Sequence, residues 1–195
     1  KHLHEKLSYL KQLVDILTEI RASSARAAAF DAVAVMVRLS QLEQDIAALL
    51  VRTAYVLLLS VPGINVVSAA EFAGECGPIS NYATARCITG RAGLYPSRYQ
   101  SDQVDHANGP LVRSANRRLR FTLLQIADNL ILCNRYFSSL AAGWAKTGQD
   151  PRHARVKVGM RFSRIAFQMV AGRQVFHHPC CQGRSYILEK LMGFH

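Results

Sequence analysis

Four arginines crowd into eight residues, Arg113-Ser114-Ala115-Asn116-Arg117-Arg118-Leu119-Arg120, at the start of a helical pattern. Cations at a helix N-terminus oppose the macrodipole by about 0.3–1 kcal/mol each. Local stability alone would favour Asp or Glu there. An anion in front of the helix removes the conflict, because guanidinium groups and unpaired backbone N–H groups then converge on it. Ser114 is expected to cap this helix, with Arg113, Arg117 and Arg120 as the leading phosphate contacts and Asn116 and Arg118 beside them. A solvated arginine collar is the plainer alternative. Just upstream runs Gly93-Leu94-Tyr95-Pro96-Ser97-Arg98-Tyr99-Gln100-Ser101-Asp102. A serine such as Ser101 can attack a phosphodiester once its proton is removed and arginine neutralises the phosphate. Tyr95 and Tyr99 are candidates for stacking on bases or for bracing the loop. Two further clusters could hold a metal: Asp102, Asp105 and His106, and His177-His178-Pro179-Cys180-Cys181. The second lacks another ligand pair at zinc-finger spacing, and the first reads more simply as a polar loop.

The elements that must position these groups are mostly helices. Leu7, Leu10, Val14 and Leu17 recur at steps of three and four, and so do Leu39, Leu42, Ile46, Leu49 and Thr53. Both sets read as short coiled-coil seams, joined through the small residues 22–29, which either continue a helix or bend it into a hairpin. Two ordinary amphipathic helices on a core are the alternative. At Val61-Pro62-Gly63-Ile64-Asn65 a helix ends and another begins near Val66, the outline of a helix-hairpin-helix. In that motif the turn and the next helix start offer backbone N–H groups to a DNA phosphate, which makes Gly63 and Asn65 candidate contacts. Residues 90–112 read as one long loop. From Ser114, the positions Leu119, Leu123, Ile126, Leu130, Cys133 and Phe137 predict one buried stripe along a single long helix, with Gly143 as its terminator. A last basic helix, Pro151 to Val170, carries Val158, Phe162, Ile165 and Met169 on one face and Lys157, Arg161 and Arg164 beside it.

Composition bounds the reading. The 195 residues are half apolar, which is enough for a core and argues against wholesale disorder. The longest apolar run, near residues 54–61, is too short to span a bilayer, so no membrane role is expected. Residues 1–90 balance eight Lys/Arg against eight Asp/Glu, whereas residues 91–195 hold sixteen against five, so the whole net charge of +11 lies in the second half. That asymmetry predicts a polyanionic partner. Five scattered cysteines argue against a disulfide framework and for a reducing, cytoplasmic setting. The chain opens at Lys1 inside a helical pattern without a targeting segment, as expected of a piece of a longer protein.

Taken in order, Leu58-Leu59-Ser60-Val61-Pro62-Gly63-Ile64, Ala69-Ala70-Glu71, Gly77-Pro78-Ile79, Gly93-Leu94-Tyr95-Pro96, Ser101 and Asn116-Arg117-Arg118-Leu119-Arg120 resemble one family. It is the C-terminal transposase domain of the bacterial insertion-sequence family numbered one-ten, including its eleven-eleven branch. The resemblance covers about residues 55–140, extends more loosely through Phe167-Gln168-Met169-Val170, and makes the first helices look like the family's coiled-coil arm. It implies a site-specific DNA recombinase, bacterial and nucleoid-associated, whose serine forms a phosphoserine link to DNA, with Ser101 in that role. It also implies homo-oligomers through the arm, a structured guide RNA for some members, and Mg²⁺ held by an acidic nuclease-like domain outside this chain. No cofactor is expected within the chain itself. Two positions depart from the family pattern, Asp102 and Ala115 standing where Gly is usual. The expected architecture is thus mostly α: residues 1–54 a coiled-coil arm, 55–142 a transposase core with a helix-hairpin-helix-like turn, and 143–195 a basic helical extension. Lys157, Arg161 and Arg164 add candidate phosphate contacts. The alternatives are a non-catalytic nucleic-acid-binding fragment and, from another class, a structural dimerisation module.

Overall fold

A computed structural model describes residues 23–95, 99–101, 104–106, 111–112, 114–148, 150–178 and 185–193. The protein is mostly helical. In chain order come α1 (Ser23–Leu50), a 3-10 helix (Ala54–Ser60), α2 (Val66–Cys76), a 3-10 turn (Ile79–Asn81) and α3 (Ala85–Ala92). The antiparallel strands β1 (Tyr99–Ser101) and β2 (Val104–His106) follow, then α4 (Arg117–Cys133), α5 (Arg135–Lys146), α6 (Pro151–Gly172) and α7 (Ser185–Met192).

The core forms where α2, α4 and α6 meet. Phe72 of α2 sits edge-on to Phe162 of α6 with ring centroids 5.6 Å apart, and Tyr55 of the 3-10 helix packs edge-on to Phe72 at 6.0 Å. Leu119, Leu123, Ile126 and Leu130 of α4 are buried on one stripe, as their spacing predicts. Gly159 lets α6 cross α4 closely: a methyl group there would lie 3.3 Å from the Leu123 carbonyl. The small residue sets the approach of the two backbones. Arg155 of α6 ties the crossing at its rim, pairing with Asp128 at 2.6 Å and donating to the Leu124 carbonyl at 3.3 Å.

Three local expectations are corrected. The long helix from Ser114 is two helices, broken at Asn134. That residue is 1% exposed; its Oδ1 accepts from Tyr136 N at 3.1 Å to cap α5, and its Nδ2 donates to the Pro62 carbonyl at 3.1 Å. A buried amide satisfied in this way fixes the break. Gly143 accordingly lies inside α5, Phe137 is buried from the second helix, and Cys133 is exposed. The cap of α4 is Asn116, not Ser114: its Oδ1 accepts from Arg118 N at 3.0 Å and Leu119 N at 3.1 Å. Lastly, residues 90–112 are not a featureless loop, since β1 and β2 pair within them, Ser101 opposite Val104.

The small residues at the start of α1 continue the helix rather than bending it. Leu39, Leu42 and Leu49 of the predicted seam are exposed and Ile46 is partly buried, while Ala47 and Leu50 pack into the core. Thr53 falls beyond the helix, its hydroxyl donating to the Leu50 carbonyl. The other seam, Leu7 to Leu17, lies outside the described residues.

Candidate nucleic-acid interface

The β-hairpin is fastened at its base to the start of α4. Gly93 ends α3 in the left-handed conformation, at φ 62°. A methyl group on it would sit 2.6 Å from the Ala115 Cβ and on top of the Arg120 guanidinium. Glycine is required there both by conformation and by space. Tyr95 O accepts from Val112 N at 3.3 Å, closing the base of the hairpin, and Asn116 N donates to Arg91 O at 2.9 Å. Arg120 completes the clamp, with Nε donating to the Ala92 carbonyl at 2.8 Å and Nη2 to the Val112 carbonyl. Arg120 thus grips both ends of the segment bearing Ser101. Its placement differs from the sequence expectation: this guanidinium is directed to two carbonyls of its own chain instead of outward to a phosphate.

Arg117 and Arg118 are exposed at the same end of α4. The Arg118 and Leu119 N–H groups there are met by Asn116 Oδ1, and Asn116 Nδ2 donates to Glu75 Oε2 of α2 at 2.9 Å. The two exposed guanidinium groups are the charged groups available here to an anion. Ser101 ends β1, opposite Val104 of β2. Its hydroxyl and Arg113 lie outside what the structure describes.

The other sequence candidates lie elsewhere. Gly63 adopts φ 94°, and a methyl group on it would lie 3.2 Å from the Asn129 carbonyl, so the Pro62-Gly63 turn packs on the far end of α4. Twelve residues of helix separate Asn129 from Arg117, about 18 Å. Asn65 is occupied locally in a capping box with Ser68 at 2.8 and 3.1 Å. The Leu59, Val61 and Ile64 carbonyls around the turn all accept from Lys190 Nζ of α7. Burial pushes the Lys190 ammonium down to about 8. Lys157 lies over the Trp144 ring at 5.2 Å, and Arg161 donates to the Tyr136 hydroxyl at 3.0 Å. Arg161 and Arg164 line a groove of about 480 Å³ with Tyr136, Gln168, His177 and His178. Of the candidates the structure describes, Asn116, Arg117, Arg118 and Arg120 are therefore brought together at the foot of the Ser101 hairpin. Gly63 with Asn65, and Lys157 with Arg161 and Arg164, form separate groups.

Two residues at this end escaped the sequence reading. Glu75 becomes the partner of Asn116 only through the antiparallel packing of α2 on α4. Phe121, 60% exposed, was legible in principle, because it falls off the Leu119–Leu123–Ile126 stripe. Among the described residues no three His, Cys, Asp or Glu side chains gather to hold a metal ion, and no helix is long and apolar enough to cross a membrane. Cys180 and Cys181 lie outside them.

Residues 55–142, which hold α2, α3, the hairpin, α4 and most of α5, match the model of the Transposase IS116/IS110/IS902 family. This stretch is similar to the transposase domain of that family. No curated protein matches the chain. The match suggests a transposition function and implies DNA as a partner. Its boundaries cut through the core, since Phe162 and Val158 of α6 pack against it from outside the matched stretch.

Proposed function

We propose that the chain carries out serine-mediated DNA strand cleavage and transfer, with Ser101 as nucleophile and Arg117 and Arg118 gripping the flanking phosphates. The observation that carries this reading is the clamp. Arg120, Gly93 and Asn116 tie the strand bearing Ser101 to the helix end that presents two exposed arginines, inside a transposase domain. In the reaction the Ser101 oxygen bonds to phosphorus as its proton passes to water or a nearby base. The bond from phosphorus to the sugar oxygen breaks, and that oxygen takes up a proton. The phosphoserine preserves one phosphoester bond, so rejoining to another strand needs no external energy source. Arginine positive charge stabilises the oxygens of the transition state. Mg²⁺ would belong to an acidic nuclease-like domain beyond this chain, and a structured guide RNA would act as a second partner. Pairing of the exposed Leu39, Leu42 and Leu49 face with another copy would make the active oligomer through a coiled coil.

The test is a search for protein–DNA adducts that survive denaturation, formed by a transposition-competent form of the protein on supercoiled element DNA. Ser101→Ala is expected to abolish the adduct, and peptide mapping of the parent adduct is expected to place the link on Ser101. An undiminished adduct in Ser101→Ala would overturn the assignment. Asp102, a negative charge beside the proposed phosphate site, favours a second reading, a non-catalytic nucleic-acid-binding fragment. That reading predicts binding of DNA with no adduct in either protein.

A further inference from the structure

Beside the clamp lies a groove of about 550 Å³ between α2 and α4, whose chemistry the phosphate contacts do not account for. One wall is Phe121, a large apolar ring left 60% exposed one helical turn from Arg117 and Arg118. The facing wall is α2, where Glu71 and Glu75 present carboxylates and Gly74 between them leaves the floor open. A methyl group on Gly74 would meet nothing within 4 Å, so packing does not require glycine there. Acidic side chains inside the groove disfavour a phosphate there, whereas the arginines on its rim attract one. The helix end itself is not the attraction, because Asn116 already caps it.

An aromatic face, carboxylate acceptors within and cations at the rim match one ligand: an unpaired nucleobase bearing an exocyclic amino group, on a strand whose phosphates follow the rim. Bases stack on aromatic rings whatever their sequence, and carboxylates accept from the amino groups of cytosine and adenine. We infer that this groove receives an unstacked nucleobase, with Phe121 as its stacking platform, Glu71 as acceptor for its amino group, and Arg117 and Arg118 on the neighbouring phosphates. The inference deepens the proposed function and rests on the nucleic-acid half of that reading.

The test measures binding of the 195-residue chain to labelled single-stranded dC12, dT12 and rC12 and to a fully paired duplex, by fluorescence anisotropy at one salt concentration. Phe121→Ala is expected to weaken dC12 binding about tenfold while leaving the duplex within twofold; Phe121→Trp is expected to retain affinity. Gly74→Trp, whose Cβ would meet nothing within 4 Å and whose ring would compete for the groove, should reproduce the Phe121→Ala loss. Glu71→Gln should reduce the preference for dC12 over dT12. Comparison of rC12 with dC12 tells whether the strand is RNA or DNA. Equal losses on single strand and duplex, or none with Phe121→Ala, would overturn the inference and leave the transposase reading standing. Failure of the parent protein to bind any of the four would overturn both.

Discussion

Gly93 is the residue on which the site's geometry turns most sharply. Its left-handed backbone costs a residue with a side chain about 1–2 kcal/mol, and any Cβ would also displace the Arg120 guanidinium from the carbonyls of Ala92 and Val112. Gly93→Ala is therefore expected to lower stability by at least about 2 kcal/mol, measured by denaturant titration. It should also loosen the hairpin to proteolysis near residues 96–110; wild-type stability would contradict the clamp. The cysteines give a second check at this scale. Cys76 is buried and its thiol pushed up to about 12 by burial, whereas Cys87 is exposed and lowered by its hydrogen bond to Thr84. Thiolate is the reactive form, so alkylation at pH 8 mapped by peptide mass should modify Cys87 readily and spare Cys76 in the folded protein. Prompt labelling of Cys76 would contradict its burial.

At the scale of elements, two polar side chains hold the turn before α2. Asn134 breaks one predicted helix into α4 and α5 while supporting the Pro62 carbonyl, and Lys190 fastens α7 to three more carbonyls of the same turn. Asn134→Ala removes a cap and leaves a carbonyl unsatisfied, and should cost about 2 kcal/mol in chemical denaturation. No measurable change would mean the break is set elsewhere. The helices and the stripe on α4 were legible because apolar spacing records burial directly. The break at Asn134 was not, because Phe137 resumes the rhythm across it and only the tertiary partner Pro62 explains the interruption. The same limit hid Arg120. It follows Leu119, at the margin of the buried stripe, and the carbonyls that turn it inward come from residues 28 and 8 positions away. Ser101 and the arginines were legible as residue types, while the clamp that links them was not. The strands escaped because three-residue segments between turn formers carry too little alternation to register.

Across the whole molecule, α6 supplies Phe162 and Val158 to the core of the transposase stretch, so a chain ended at residue 142 is expected to lose cooperative unfolding. Alkaline pH probes the same core. Burial raises the pKa of Tyr55, Cys76 and Tyr82, which cluster around the end of α2. Acids with raised folded pKa values keep their protons in the folded state while the unfolded chain loses them, so their contribution falls as pH rises from about 9 toward 12. Lys190 acts in the opposite sense: pushed down to about 8, its contribution grows from there toward 10.5. The three acids outnumber it, and denaturation midpoints should fall above pH 9, less steeply in Cys76→Ala. An identical slope in that variant would exclude Cys76 as a source.

All of these features bear on function through one electrostatic claim, that Arg117 and Arg118 at the foot of the Ser101 hairpin grip the phosphates of a DNA strand. The most direct measurement is the salt dependence of duplex DNA affinity for the parent chain and for Arg117→Gln/Arg118→Gln. Each phosphate contact contributes about 0.9 to the slope of log affinity against log salt, so the double variant should bind more weakly with a slope shallower by about 1.8. A double variant with the parent slope and affinity would contradict the account.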